Sequence, residues 1–216
     1  MNNKEYLEYM LDHIEDEFKG GFEKIFENPS WEKSVTFWGS ARFKEGNKYY
    51  EMARSLASRV ATELDYAVVT GGGGGIMEAG NRGAYEADGE SVGFNIKLPF
   101  EQILNPYTTD SYTFDHFYIR KVLMSYGAEA YIYFPGGFGT LDELFEMITL
   151  IQTKKIPPVP VVLMGSEYWQ PLDDFIKKTL LEDNKTISPE DLELYTISDD
   201  LDEVMEIIKN APNRNR

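Results

Sequence analysis

Three short apolar runs each end in a glycine-rich turn that leads into a helix-like segment, and this pattern restricts the fold more than any other feature. The runs are SVTFWGS, YAVVTGGGGG and YIYFPGGFGT, and further strands are predicted at 91–96 and 159–164. Helices are predicted near 75–87 and 118–127 and from residue 140. Strands and helices that alternate with short connections are typical of a parallel sheet. The sequence therefore predicts a doubly wound α/β fold with helices on both faces of a mainly parallel sheet.

Composition restricts the classes of partner. The chain has 216 residues, 42% of them hydrophobic, and its longest apolar runs fall short of the roughly 18 residues that a membrane span needs. A formal charge of -16 would repel a nucleic-acid backbone, so neither a membrane nor a nucleic acid is an expected partner. The acidic first residues do not resemble a secretory signal, and there is no cysteine. We therefore expect a cytoplasmic protein.

The N-terminal region differs from the rest of the chain. Residues 3–27 carry apolar side chains at spacings of three and four, which predict one or two amphipathic helices interrupted at Gly20-Gly21. We expect residues 1–34 to form an N-terminal helical arm and residues 35–210 to form one domain with a single core.

The glycine-rich strand ends are candidates for binding an anion. Ligands of open α/β sheets bind beyond the carboxyl ends of the strands. Glycine allows backbone N–H groups to approach a phosphate, and the following helix adds unpaired donors. At any one of these ends glycine could equally serve only the tight turn. The chain lacks the G-x-G-x-x-G and Walker motifs, so neither a dinucleotide nor ATP is favoured.

Carboxylates are the candidates for acid–base chemistry. The chain has no G-x-S-x-G nucleophile motif, and its only histidines are His13 and an isolated His116. No group of residues has the spacing of metal ligands. Thr140 to Glu143 fits a capping box, in which Thr140 would cap the helix and Glu143 would bond back to it. Local sequence alone favours this capping role for Glu143. Arg120, beside Lys121, could likewise be an ordinary solvated arginine.

A family resemblance points to a different role for these residues. PGGFGTLDE at 135–143 matches the P-G-G-x-G-T-x-x-E motif of the Lonely Guy (LOG) family of nucleoside 5′-monophosphate phosphoribohydrolases, of which many bacterial members have been labelled lysine decarboxylases. FWGSAR, TGGGGGIMEAGNRGAYEADG and YIRKVLM resemble further family segments, in the same order, across roughly 35–165. Gly74 departs from the proline of many bacterial relatives. The resemblance implies a Rossmann-like fold.

The family activity implies a role for each matching residue. Hydrolysis of the N-glycosidic bond of a purine nucleoside 5′-monophosphate releases the free base and ribose 5-phosphate. Glu143 would be the catalytic carboxylate, and Arg120 would hold the substrate or offset charge on the departing base. No cofactor or metal is implied. The resemblance assigns substrate binding to Gly39, Ser40, Gly72, Gly73, Gly75, Met77, Glu101, Lys121, Gly136, Gly137, Gly139, Thr140 and Thr149, and Gln102 occupies a similar position.

Two other functions stay open at this stage. The predicted architecture also resembles that of molybdenum-cofactor carrier proteins, which hold a phosphorylated pterin without turnover. A pyridoxal-phosphate decarboxylase needs a Schiff-base lysine with a partner for the pyridinium nitrogen, and the sequence shows no such context. LOG relatives are dimers or larger, so a homodimer or higher homo-oligomer is expected.

Overall fold

The computed structural model describes residues 2–26, 32–98 and 103–213 and contains a seven-stranded parallel sheet. The strands are β1 (Ser34–Trp38), β2 (Ala67–Thr70), β3 (Ser91–Ile96), β4 (Asp110–Phe114), β5 (Ala130–Tyr133), β6 (Val161–Leu163) and β7 (Thr196–Ile197). The helices are α1 (Asn3–Phe26), α2 (Lys48–Leu64), α3 (Ile76–Glu86), α4 (Phe117–Tyr126), α5 (Phe138–Gln152), α6 (Ser166–Phe175) and α7 (Leu201–Lys209). Across these ranges no helix is both long and apolar enough to cross a membrane.

The strand order is β4-β3-β2-β1-β5-β6-β7, and every neighbouring pair is parallel. The chain builds outward from β1 to β4 and then returns to β5 on the other side of β1. A crevice opens at such a switch point, because the loops after the two central strands lead to helices on opposite faces of the sheet. The predicted doubly wound α/β fold is confirmed.

Two apolar layers cover the sheet, one on each face. Successive side chains of a strand point to opposite faces, so Val35 and Phe37 of β1 pack with α2, α3 and α7, whereas Trp38 packs with the layer that contains α4 and α5. All residues of β1, β2, β3, β5 and β6 are buried. The rigid central strands therefore hold the loops at their carboxyl ends in fixed positions.

The N-terminal helix is continuous, so the predicted interruption at Gly20-Gly21 is wrong. The two glycines allow α1 to approach its neighbours closely: a Cβ on Gly20 would lie 2.5 Å from the hydroxyl oxygen of Tyr112, and one on Gly21 would collide with Leu123. Ile25 belongs to the core beneath α1. Close packing against β4 and α4 compensates for the low helix propensity of glycine.

Candidate active site

The loops after β1 and β5 meet at the switch point of the sheet. The N–H of Ser40 donates to the carbonyl oxygen of Pro135 at 3.0 Å, which joins the two loops directly. A cavity of about 700 Å³ opens there. The site residues predicted from sequence that line it are Gly39, Ser40, Met77, Arg120, Gly136, Gly137, Gly139, Thr140 and Glu143.

The turn before α5 presents unpaired backbone donors to this cavity. Gly137 is the N-cap residue of α5, so Phe138, Gly139 and Thr140 form its first turn. The first N–H groups of a helix have no partner within the helix and attract anions. Thr140 packs so closely over Gly136 that a Cβ at residue 136 would collide with its hydroxyl group. The turn therefore has the geometry of a phosphate cradle.

The predicted capping box is wrong. The helix begins at Phe138 rather than at Thr140, and no side chain of the described residues caps its N-terminus. Glu143 turns instead toward α4, where its Oε1 lies 3.2 Å from Nη2 of Arg120. The two side chains are 9% and 8% exposed, so Arg120 is not a solvated surface residue either. The structure thus places a buried ion pair at the wall of the cavity.

Burial governs the electrostatics of this pair. Loss of solvation raises the pKa of Glu143 to about 7, and the nearby Arg120 guanidinium only partly offsets this effect. Burial also lowers the pKa of Arg120, although an arginine keeps its charge at neutral pH. A carboxyl group with a pKa near 7 can exchange a proton with water or substrate at neutral pH. The pair therefore combines a fixed positive charge with a group suited to acid–base work.

The guanidinium of Arg120 is held by its surroundings and retains donor capacity. Its carbon lies 5.3 Å from the centroid of the Phe117 ring, and a Cβ on Gly71 would lie 3.5 Å from Nη1. The buried Nε of Arg120 has no hydrogen-bond partner among the described residues. A buried donor without a partner is rare in folded proteins, which suits a group that meets a ligand.

Three predicted glycines lie outside the cavity lining and make packing contacts. The backbone N–H of Asn105 donates to the carbonyl oxygen of Gly72 at 2.8 Å. The side-chain amide of Asn105 donates to the carbonyl oxygen of Gly73 at 3.1 Å. Gly75 has φ of 68°, and a Cβ there would collide with the backbone of Ser40. These residues hold the loop after β2 against neighbouring backbone, and substrate contact by them stays a prediction.

Two further predicted residues, Lys121 and Thr149, lie outside the cavity lining. Nζ of Lys121 lies 2.7 Å from Oδ2 of Asp142 and 3.2 Å from Oε2 of Glu146, so it bridges α4 and α5. Thr149 lies exposed on α5, beside Phe145, away from the cavity. Glu101 and Gln102 lie outside the described residues.

Sequence reasoning missed several side chains that line the cavity. Trp38, Phe117 and Tyr168 all contact it, and so does Arg42, which the sequence indicated only as a candidate cation near a glycine turn. The hydroxyl group of Tyr168 donates to the carbonyl oxygen of Gly136 at 2.6 Å and so supports the turn before α5 from α6. Trp38 and Arg42 belong to the FWGSAR segment, and Phe117 directly precedes YIRKVLM, so position could have indicated them, whereas no local pattern marks Tyr168.

The chain matches one family model and several named relatives. The model, described as "Possible lysine decarboxylase", matches residues 77–208. The cytokinin riboside 5′-monophosphate phosphoribohydrolase of Rhodococcoides fascians is 29% identical over 153 residues, which cover 69% of this chain and 77% of the relative. A probable cytokinin riboside 5′-monophosphate phosphoribohydrolase of Arabidopsis thaliana is 31% identical over 169 residues, which cover 72% and 84% of the two chains.

Solved structures with the same fold include an X-ray structure of a structural-genomics target, with a TM-score of 0.60 and 24% identity, covering 82% of this chain and 98% of that one. The molybdenum cofactor carrier protein of Chlamydomonas reinhardtii has a TM-score of 0.59 at 20% identity, and the match covers 83% of this chain and 97% of that one. At these identities the likeness shows the fold alone. The family model and the named relatives go further, and they confirm the predicted resemblance: the chain belongs to the LOG family of phosphoribohydrolases.

Proposed function

We propose that this protein hydrolyses the N-glycosidic bond of a purine nucleoside 5′-monophosphate, with adenine or an N6-substituted adenine as the base. The observation that carries the proposal is the buried Arg120–Glu143 pair beside the N-terminus of α5. The cavity offers backbone donors to a phosphate and, beside them, a cation and a titratable carboxyl group. The names of the relatives support the same reaction class.

Each residue of the site has a separate role in the proposed reaction. The N–H groups of Gly139 and Thr140 would bind the 5′-phosphate and so fix the ribose beside Glu143. Water would add to the anomeric carbon as the bond from that carbon to the purine nitrogen breaks. Ionised Glu143 would accept a proton from this water and stabilise the positive charge that develops on the ribose. Arg120 would offset the negative charge on the departing base, which would take up a proton from solvent to become the neutral purine, and Glu143 would return its proton to solvent.

The test compares AMP with adenosine and detects free adenine. We expect AMP to be hydrolysed with much higher catalytic efficiency, because the phosphate contacts position the reacting carbon. Comparable efficiency for the two compounds would rule out the phosphate role of the α5 turn. A panel of purine nucleoside monophosphates, including N6-substituted ones, would then identify the preferred base.

A carrier function is the second candidate, since molybdenum cofactor carrier proteins share the fold. A carrier has no need of a buried carboxyl group with a raised pKa beside an arginine, because retention of a ligand involves no proton transfer. The presence of Arg120 and Glu143 therefore favours catalysis. Tight AMP binding without any release of adenine would favour the carrier.

We also propose a homodimer or higher homo-oligomer that buries the outer face of α5. Phe138 is 93% exposed there, and Phe145 is 39% exposed. Apolar surface of this kind is typical of an interface. Light scattering should give a mass at least twice the 24.8 kDa of one chain. A monomer at micromolar concentration would contradict this assembly.

A further inference from the structure

The charges that line the cavity are unevenly paired. Arg120 pairs with Glu143, and Asp142 pairs with Lys121. Among the charged side chains that line the cavity, Arg42 is the one without an oppositely charged partner within the described ranges. The chain carries a formal charge of -16, so acidic groups are abundant. An arginine at the mouth of the cavity that no described carboxylate neutralises is available to a ligand.

Other arginines of the described chain are engaged with acidic groups. Arg54 reaches Glu86, Arg59 reaches Glu63, and Arg82 reaches Glu86. Exposed arginines of an acidic protein readily acquire such partners. The free guanidinium at the cavity therefore distinguishes Arg42 from arginines elsewhere on the surface.

The backbone around Arg42 is fixed next to the phosphate turn. The N–H of Arg42 donates to the hydroxyl oxygen of Ser40 at 3.1 Å, and Ser40 in turn donates to Pro135. Pro135 directly precedes Gly136 and Gly137. An exposed side chain thus extends from an anchored loop that touches the turn, which is the arrangement that allows a long cation to reach an anion held there.

From these contacts we propose that Arg42 is a substrate-binding residue that contacts the 5′-phosphate of the nucleotide; this inference rests on the proposed function. The backbone donors of the α5 turn would hold one side of the phosphate, and the guanidinium would hold the side that faces solvent. A guanidinium pairs with two phosphate oxygens at once. Its charge would also offset the repulsion between a dianionic substrate and an acidic protein.

The experiment measures ribose 5-phosphate binding by calorimetry for the parent, Arg42→Gln and Arg42→Lys. Arg59→Gln is the matched control, because it removes the same charge from an arginine of α2 that lies outside the cavity lining. Binding of ribose 5-phosphate requires no turnover, so its outcome does not depend on whether the protein hydrolyses AMP. Adenosine binding, measured in parallel, reports contacts that do not involve phosphate.

We expect Arg42→Gln to weaken ribose 5-phosphate binding by about tenfold or more, on the usual scale of hydrogen bonds to charged groups. Arg42→Lys should lose less, since it keeps the charge without the two-pronged geometry. Adenosine binding and the melting temperature should match the parent in both variants. Equal affinities in Arg42→Gln and Arg59→Gln would overturn the proposal, as would an equal loss of affinity for adenosine. Absence of AMP hydrolysis with Arg42-dependent phosphate binding would reject the proposed reaction and keep this site.

Discussion

Replacing Glu143 with glutamine tests both the environment and the role of the carboxyl group. Burial raises the pKa of Glu143 from an ordinary 4.5 to about 7. Each pH unit between these values corresponds to about 1.4 kcal/mol, so the ionised side chain lowers the free energy of unfolding by about 3 kcal/mol at alkaline pH. The stability contributed by neutral Glu143 is complete below pH 4.5 and is lost as the pH rises through 7.

Glutamine has the shape of protonated glutamate and does not ionise, so Glu143→Gln should remove this pH dependence. We expect parent and variant to have similar free energies of unfolding near pH 4, and the variant to be more stable by about 3 kcal/mol near pH 8. Urea denaturation at both pH values measures the difference. The exposed neighbour Asp142 supplies the control Asp142→Asn, which should show no comparable gain.

The same variant tests catalysis. Turnover of AMP should fall at least about a hundredfold, because an amide can neither accept a proton from water nor stabilise a developing positive charge. Nucleotide binding should persist, since the phosphate turn is unchanged. We therefore expect Glu143→Gln to be more stable than the parent but inactive, because catalysis needs a buried charge that destabilises the folded protein. Parallel stability curves across this pH range would refute the raised pKa, and the parental rate would refute the catalytic role.

Three further results are expected. Arg120→Ala should lower turnover at least about a hundredfold and raise the pKa of Glu143 further, since the arginine charge lowers it; an unchanged rate would remove Arg120 from the mechanism. Hydrolysis should survive EDTA, because no group of three potential ligands in the described chain could hold a metal ion, and a loss reversed by added metal would contradict this. Gly75→Ala should lower the free energy of unfolding by about 3 kcal/mol through strain at positive φ; a parental melting temperature would show that the loop tolerates a side chain.

Much of the sheet was predictable because its central strands are buried on both faces. A strand buried in this way reads as a short apolar run between turn residues, as the segments of β1, β2 and β5 do. The strand β4, with the sequence DSYTF, was missed because it lies at the sheet edge and is only partly buried. The two residues of β7 leave no pattern at all.

The start of α5 could not be predicted from the local sequence pattern. Thr140 and Glu143 have the spacing of a capping box, yet the helix begins two residues earlier, at Phe138. The attraction of Arg120 for Glu143 and the hydrogen bond from Tyr168 to the carbonyl oxygen of Gly136 join parts of the chain that are distant in sequence. Helix propensity and spacing report neighbouring residues only, so tertiary contacts decided where this helix begins and which way its carboxyl group points.

The sequence by itself determined the alternation of strand and helix, the glycine turns and, through the motif at 135–143, the family. The tertiary structure alone decided the chemistry available to the site. Residues 120 and 143 become a pair because β5 returns beside β1 and carries α5 back against α4. The pKa of Glu143 rises because packing removes water from it. Solvation is a property of the folded surroundings, which the order of residues along the chain does not display.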